Sequence, residues 1–172
     1  MRVSYEWLKD MVDVPADPQG LITELVRTGT EVAAVERVGA DITKVVTSQV
    51  IEKVPHPDSD HLYVCKMDVG GYNVDATGRP VPLQVVCGAQ NFRQGDKTVT
   101  ALVGATLPGG VTIKKGRLRG VDSCGMNCSS RELGLGEDQS GIMVLPDDTP
   151  VGLDFTEVRR SEERRVGKEC RS

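Results

Sequence analysis

The densest chemistry in this chain lies between Lys114 and Glu132, in the run KKGRLRGVDSCGMNCSSRE. Lys114, Lys115, Arg117 and Arg119 fall within six positions, and Gly116 among them permits a hairpin or bend. Cations at that spacing can follow a phosphate backbone, each neutralised phosphate releasing counterions. The same strip also reads as a solvated edge strand whose charges guard against aggregation. Just beyond it, Ser123, Ser129 and Ser130 flank Gly125 and are placed to cap a short helix through Glu132. Such a cap leaves backbone N–H groups and hydroxyls to meet phosphate or ribose, which is compatible with RNA without being specific for it.

Other chemistries fare worse. Gly104 to Gly110 has the glycine spacing of a phosphate loop, but Val111 stands where the lysine must follow, so Gly-rich turns between strands are the better reading. Cys124 and Cys128 could be joined with His56, His61 and Cys65 into a tetrahedral zinc site, yet the spacing is that of neither a ribbon nor a finger. Five cysteines at irregular intervals suit free thiols of a reducing compartment. A nucleophilic cysteine needs a base, and the sequence places neither histidine beside one. No catalytic residue, metal ligand or cofactor is therefore assigned within the chain.

The elements that must position the basic strip fall into two parts. Trp7, Leu8, Met11 and Val12 recur at helical spacing after Ser4. Asp17-Pro18 reads as N-cap and first helical residue, Leu21, Ile22, Leu25 and Val26 form an apolar stripe, and Gly29 sits at the C-terminal cap. A strand is expected over Glu31 to Val38. From about Ala40 the pattern changes to short β segments near Val45 to Lys53, Leu62 to Val69, Leu83 to Cys87, Thr98 to Val103 and Ile142 to Leu145. Five strands suit an oligonucleotide-binding barrel. Gly70-Gly71 turns one hairpin, and Asn73 to Pro82 reads as a surface loop.

Charge limits the partners. The last stretch, residues 159–172, carries six basic and three acidic residues with one isolated valine and reads as disordered. The remaining 15 basic and 22 acidic residues leave 1–158 at a formal −7, so any nucleic-acid site must be a local patch. Nothing resembles a secretory signal, and no run approaches membrane-spanning length, which points to the cytoplasm. Aromatics are 3% of the chain, with Tyr63, Tyr72 and Phe92 in the β region, too few for extended base stacking.

The run Arg119-Gly120-x-x-Ser123-x-Gly125-Met126-x-Cys128-Ser129-x-x-Glu132-Leu133-Gly134 resembles the signature of the tRNA-binding oligonucleotide-binding-fold family. Upstream, His56-Pro57-Asp58-x-Asp60-x-Leu62-x-Val64-x-Lys66-x-Asp68-Val69-Gly70 and Val86-Cys87-Gly88-Ala89-x-Asn91 resemble its other two blocks, in the right order. The flanks Val3-Ser4-x-x-Trp7-Leu8, Thr28-Gly29-Thr30-Glu31-Val32 and Pro150-Val151-Gly152 are similar to the β-subunit family of bacterial-type phenylalanyl-tRNA synthetases. That resemblance implies an α+β chain: a five-stranded barrel over residues 39–150, inserted into a small, incomplete N-terminal domain of residues 1–38, with 151–158 returning toward it. It also implies RNA contacts at Asn91, Ser123, Met126, Ser129, Ser130 and Glu132 beside the four cations.

In such an enzyme phenylalanine is joined to its tRNA, with ATP and Mg²⁺ in a partner α subunit of an α2β2 assembly and an editing site later in the β chain. None of those residues falls here, so the stretch by itself is expected to hold tRNA or to scaffold, without catalysis, and to bind neither DNA nor a membrane. A free-standing tRNA-binding or chaperone-like module and a purely structural domain are the rival readings. Asn127, where the family has an apolar residue, His61, where it favours a cation, and the long 73–82 loop depart from the pattern. Residues 159–172 abandon it and read as non-native sequence.

Overall fold

A computed structural model describes residues 3, 5–14, 17–34 and 42–158 of the chain. The chain divides into two compact units, Met1–Val38 with Val158–Ser172, and Gly39–Glu157. Residues 159–172, expected to be disordered, lie outside the described residues.

In the first unit, helix α1 spans Tyr5–Met11 and α2 spans Pro18–Arg27. Asp17 caps α2 by accepting the Gly20 N–H at 2.7 Å, and Pro18 occupies the first turn, where no amide donor is missed. The helix ends in a double closure: Gly29, at φ 88°, donates to Val26 C=O, and Thr30 donates to Leu25 C=O. Only a residue free of a Cβ takes that left-handed position without strain. The strand expected over Glu31 to Val38 is not found over residues 31–34, which take no regular structure, and 35–38 lie outside the described residues.

The second unit is a mostly antiparallel β structure. Strands β1 (Thr43–His56), β2 (Ser59–Asp68), β3 (Leu83–Cys87) and β4 (Lys97–Leu107) carry it, followed by the short β5 (Val111–Thr112), β6 (Gly116–Leu118), β7 (Val121–Ser123), β8 (Gly125–Asn127) and β9 (Val144–Leu145). All five expected strands are present, and four short ones were not foreseen. One sheet runs β3-β2-β1-β4-β5, with β8 and β9 also paired to β4, while β6 and β7 form a separate two-stranded ribbon. Among the described residues, no continuous ladder closes the sheet. At the β3 edge the chain is met by the segment joining β7 to β8, where Cys124 N–H donates to Gln84 C=O at 2.8 Å.

β1 makes this arrangement possible. Its first half pairs with β4 and its second half with β2, the two ladders overlapping only at Gln49. Register shifts at Lys44, between Val50 and Glu52, and between Pro55 and His56 bend it as it passes from one partner to the other. Alternation then splits the core: Val45 packs with Val99, Ala101, Leu107, Leu133 and Phe155, whereas Val46 packs with Val50, Met67, Val85 and Phe92. Each fully buried aliphatic of this kind contributes roughly 1.5–3 kcal/mol.

Residues 151–157, most of the 151–158 stretch read as a return segment, lie with the β unit: Phe155 is in its core, Asp154 bridges Val46, and Thr47 N–H donates to Leu153 C=O. There the backbones of Gly70 and Gly152 touch, and a Cβ at either would meet the other's Cα at about 3 Å. Among the described residues, no helix is long and apolar enough to cross a membrane.

Candidate nucleic-acid interface

The second half of the basic strip folds into the β6–β7 ribbon, with Arg117 opposite Asp122 and Leu118 opposite Val121, while Lys114 and Lys115 lead into β6. The bend does not fall at Gly116, which lies inside β6, but at Arg119-Gly120, with φ of 46° and 86°. A two-residue turn with both central residues left-handed matches the twist of the flanking strands, and glycine fits its second position. Arg119 is strained at the first, and its guanidinium anchors the turn by donating to Asp58 C=O at 2.9 Å. His56, 4% exposed, completes the attachment. Its Nδ1 accepts the Asp58 N–H at 3.0 Å, so Nε2 carries the proton and donates to Leu118 C=O at 3.1 Å.

Lys115 and Arg117 both reach Asp122, and all four cations, Lys114 and Arg119 included, are exposed. Asp122 intrudes on this group. Its carboxylate lies 3.0 Å from Lys115 Nζ and 3.8 Å from Arg117 Nε, and Arg117 also donates to Gly120 C=O. The hydrogen bond and charge of Lys115, with a smaller effect of Arg117, hold the Asp122 carboxyl below its ordinary range, and Asp122 in turn raises Lys115. Two of the four cations are therefore already paired with a carboxylate.

Ser123 is not a helix cap. It is buried at the foot of the ribbon, accepting Val86 N–H at 3.0 Å and donating to Gly125 C=O at 2.9 Å, so its hydroxyl is used within the fold. Gly125 permits the adjoining crossing, since a Cβ there would lie 2.8 Å from Ala101 C=O. The helix expected through Glu132 is a single turn over residues 130–134. Ser129 and Glu132 close it reciprocally: Glu132 Oε2 accepts the Ser129 N–H and hydroxyl at 2.6 and 2.8 Å, and Glu132 N–H points back to Ser129 Oγ at 3.3 Å. Buried Ser129 thus offers no free hydroxyl, whereas Ser130 is partly exposed.

Asn91 also proves to be a brace. Its amide donates to Ile142 C=O at 2.8 Å and its carbonyl accepts Ile142 N–H at 3.0 Å. A Cβ on Gly141 would land on that carboxamide, which is why the neighbouring residue has none. The braced segment walls an open-sided cavity of about 430 Å³, whose lining includes Val86, Gly88, Met126, Asn127, Ser129 and Glu132. The structure so brings Met126, Ser129 and Glu132 together at one cavity, with Asn91 behind its wall and the four cations on the ribbon and the stretch leading into it.

Asn127 has a physical reason for being polar. Buried at 5% exposure, it accepts from Thr100 at 2.8 Å and ends a chain of hydroxyls through Ser48 and Thr98. An apolar side chain there would take away the Thr100 hydroxyl's acceptor in Asn127 and leave it only Ser48. His61 is exposed. Gly104 and Gly109-Gly110 lie in β4 and in the β4–β5 turn, with positive φ, and do not form a strand-to-helix loop. Among the described residues, no three His, Cys, Asp or Glu side chains cluster as metal ligands.

Sequence reasoning missed the Lys53 clamp. Its ammonium lies 4.1 Å from the Tyr63 ring centre and 3.9 Å from that of Phe92 and donates to Phe92 C=O at 2.7 Å. A cation between two aromatics that meet only through tertiary folding leaves no local signal. It occupies two of the four aromatics of the β unit; Phe155 is buried in the core, which leaves exposed Tyr72. Three thiols are buried and held protonated: burial pushes Cys65 and Cys128 up to about 12 and raises Cys87 as well.

The family described as "Putative tRNA binding domain" matches residues 45–154. The phenylalanine–tRNA ligase beta subunit of Methylococcus capsulatus is 43% identical over 95% of this chain and 20% of its own length. That of Anaeromyxobacter dehalogenans is 47% identical over 91% of this chain and 18% of its own length. This chain thus spans about a fifth of these relatives. Among solved structures, a MetRS related protein from Pyrococcus horikoshii aligns with 63% of this chain and 84% of its own, at a TM-score of 0.42 and 19% identity. With the match running from β1 through the ribbon and the braced cavity to Asp154, the chain belongs to the tRNA-binding domain family.

Proposed function

We propose that this chain holds tRNA on its β6–β7 ribbon as part of the β subunit of a phenylalanine–tRNA ligase. The observation that carries this is the coincidence of the family match with a ribbon presenting Lys114, Lys115, Arg117 and Arg119 to solvent on an otherwise acidic body. Attraction to phosphate and the shape of folded tRNA would supply most of the binding, because few aromatics are available to stack on bases. In this reading the β unit is an oligonucleotide-binding barrel, its β3 edge reaching the β7–β8 segment through the Cys124–Gln84 and Val86–Ser123 bonds. It would be inserted into an α+β domain begun by residues 1–38. The whole enzyme would work in the cytoplasm with an α subunit, ATP and Mg²⁺, while this stretch does no chemistry itself.

The test is tRNA binding by the whole chain against salt, with Arg117→Ala/Arg119→Ala beside the parent. The double substitution should weaken binding and flatten the log–log salt slope by roughly 1.5, at about 0.7–0.9 per phosphate contact. A structural, RNA-free role is the second reading, favoured by the pairing of Lys115 and Arg117 with Asp122. A double mutant with the parent's affinity and slope would establish that second role and remove the ribbon as the site.

A further inference from the structure

The cavity at the foot of the ribbon offers a chemistry that the ribbon does not. Val86 joins the two, since its N–H is held by Ser123 of the ribbon while its side chain helps line the cavity with Ala89, Met126 and Ile142. Among the described residues no lysine or arginine lines this space, so a phosphate entering it would find no counter-charge from them. An acceptor is present instead. The Glu132 carboxylate is fixed through Oε2 by the Ser129 N–H and hydroxyl, and among the described residues nothing donates to Oε1. Gly88 and Gly141 line it without side chains, so a flat group can approach closely there, and Asn127, Gln139 and Ser140 add polar edges. The volume, about 430 Å³, lies in the range that takes small ligands.

We propose that this cavity receives one unstacked guanine base of a bound RNA. The inference rests on the reading that the chain binds tRNA. Guanine alone among the bases sets two donors, N1–H and the N2 amino group, side by side on its Watson–Crick edge, and these meet the open lone pairs of Glu132 Oε1. Its faces then lie against the apolar walls in place of aromatic stacking. RNA is read in this way where a strand is held by its phosphates and a base is turned out of the stack. Uracil sets a single donor, N3–H, between two carbonyl oxygens that the carboxylate repels, and is disfavoured.

The experiment is an amide-resolved NMR titration of the whole chain with guanosine, inosine, 1-methylguanosine and uridine. Guanosine should shift the amides of Gly88, Glu132 and Gly141. Inosine, which lacks the amino group, and 1-methylguanosine, which lacks N1–H, should bind more weakly, and uridine should leave these amides unmoved. Glu132→Gln keeps an oxygen for Ser129 but turns a donor toward the base, so guanosine affinity should fall at least about tenfold. If that substitution disturbs the turn itself, the ranking of the four nucleosides on the parent decides. Equal shifts with uridine and guanosine, or none with either, overturn the proposal. Steep salt-dependent tRNA binding with no guanosine effect would sink the cavity site and leave the tRNA reading standing. Guanosine seated without tRNA binding would do the reverse.

Discussion

Asp122→Asn should make this chain a better ligand for tRNA. Residues 114–123 carry four cations and one carboxylate, a net +3, and the carboxylate sits 3.0 Å from Lys115 and 3.8 Å from Arg117. RNA phosphates must compete with it for both. At about 0.7–0.9 per phosphate neutralised, a net +3 corresponds to a log–log salt slope of roughly −2.1 to −2.7, and the +4 of the substituted ribbon to roughly −2.8 to −3.6. The gain in affinity should therefore be largest at low salt. With the slopes differing by about 0.8, it should shrink about threefold as salt rises from roughly 50 to 200 mM. Asparagine is nearly isosteric and can still accept from Lys115, so the hairpin's register should survive. Filter or anisotropy binding of tRNA at four salt concentrations reads both quantities. An Asp122→Asn protein that binds more weakly at low salt would refute the reasoning, since it would mean that the carboxylate organises the cations for RNA.

Three further outcomes follow from the same contacts. An unfolded thiol ionises near 9.0, whereas burial holds the Cys128 proton to about 12. Folding is thus favoured fully below pH 9 by this group and less as pH rises toward 12, by about 1.4 kcal/mol already at pH 10. Denaturant midpoints at pH 8 and 10 should show that loss in the parent and a smaller one in Cys128→Ala; equal losses would discount the thiol. His56→Leu leaves Asp58 N–H and Leu118 C=O without partners and should cost about 1–3 kcal/mol, with faster hydrogen exchange in the ribbon, and unchanged ribbon protection would contradict the latch. Gly141→Ala should destabilise by displacing Asn91, and Asn91→Ala should destabilise by loosening Ile142. The double variant should lose less than the two singles combined, whereas strict additivity would show that the two residues do not share one brace.

What the sequence determined by itself was local. Asp17-Pro18 and Gly29 bound a helix because caps act through the few residues beside them, and five β segments were legible because apolar residues and turn formers alternate at short range. Three motif blocks in order carried the family, and the basic strip was visible as a strip. What the sequence leaves open is where each of those residues ends up once distant strands meet. The bend moved from Gly116 to Arg119-Gly120 because Arg117 pairs with Asp122 and the turn is tied to His56 and Asp58, some 60 residues away. Asn91 and Ser123, read as RNA contacts, became braces for Ile142 and Val86, and Asn127 found its reason only beside Thr100. Hydrogen bonds between residues far apart in the chain leave no periodic trace in it. Only the tertiary structure decided which polar groups are consumed in holding the fold and which still face a partner.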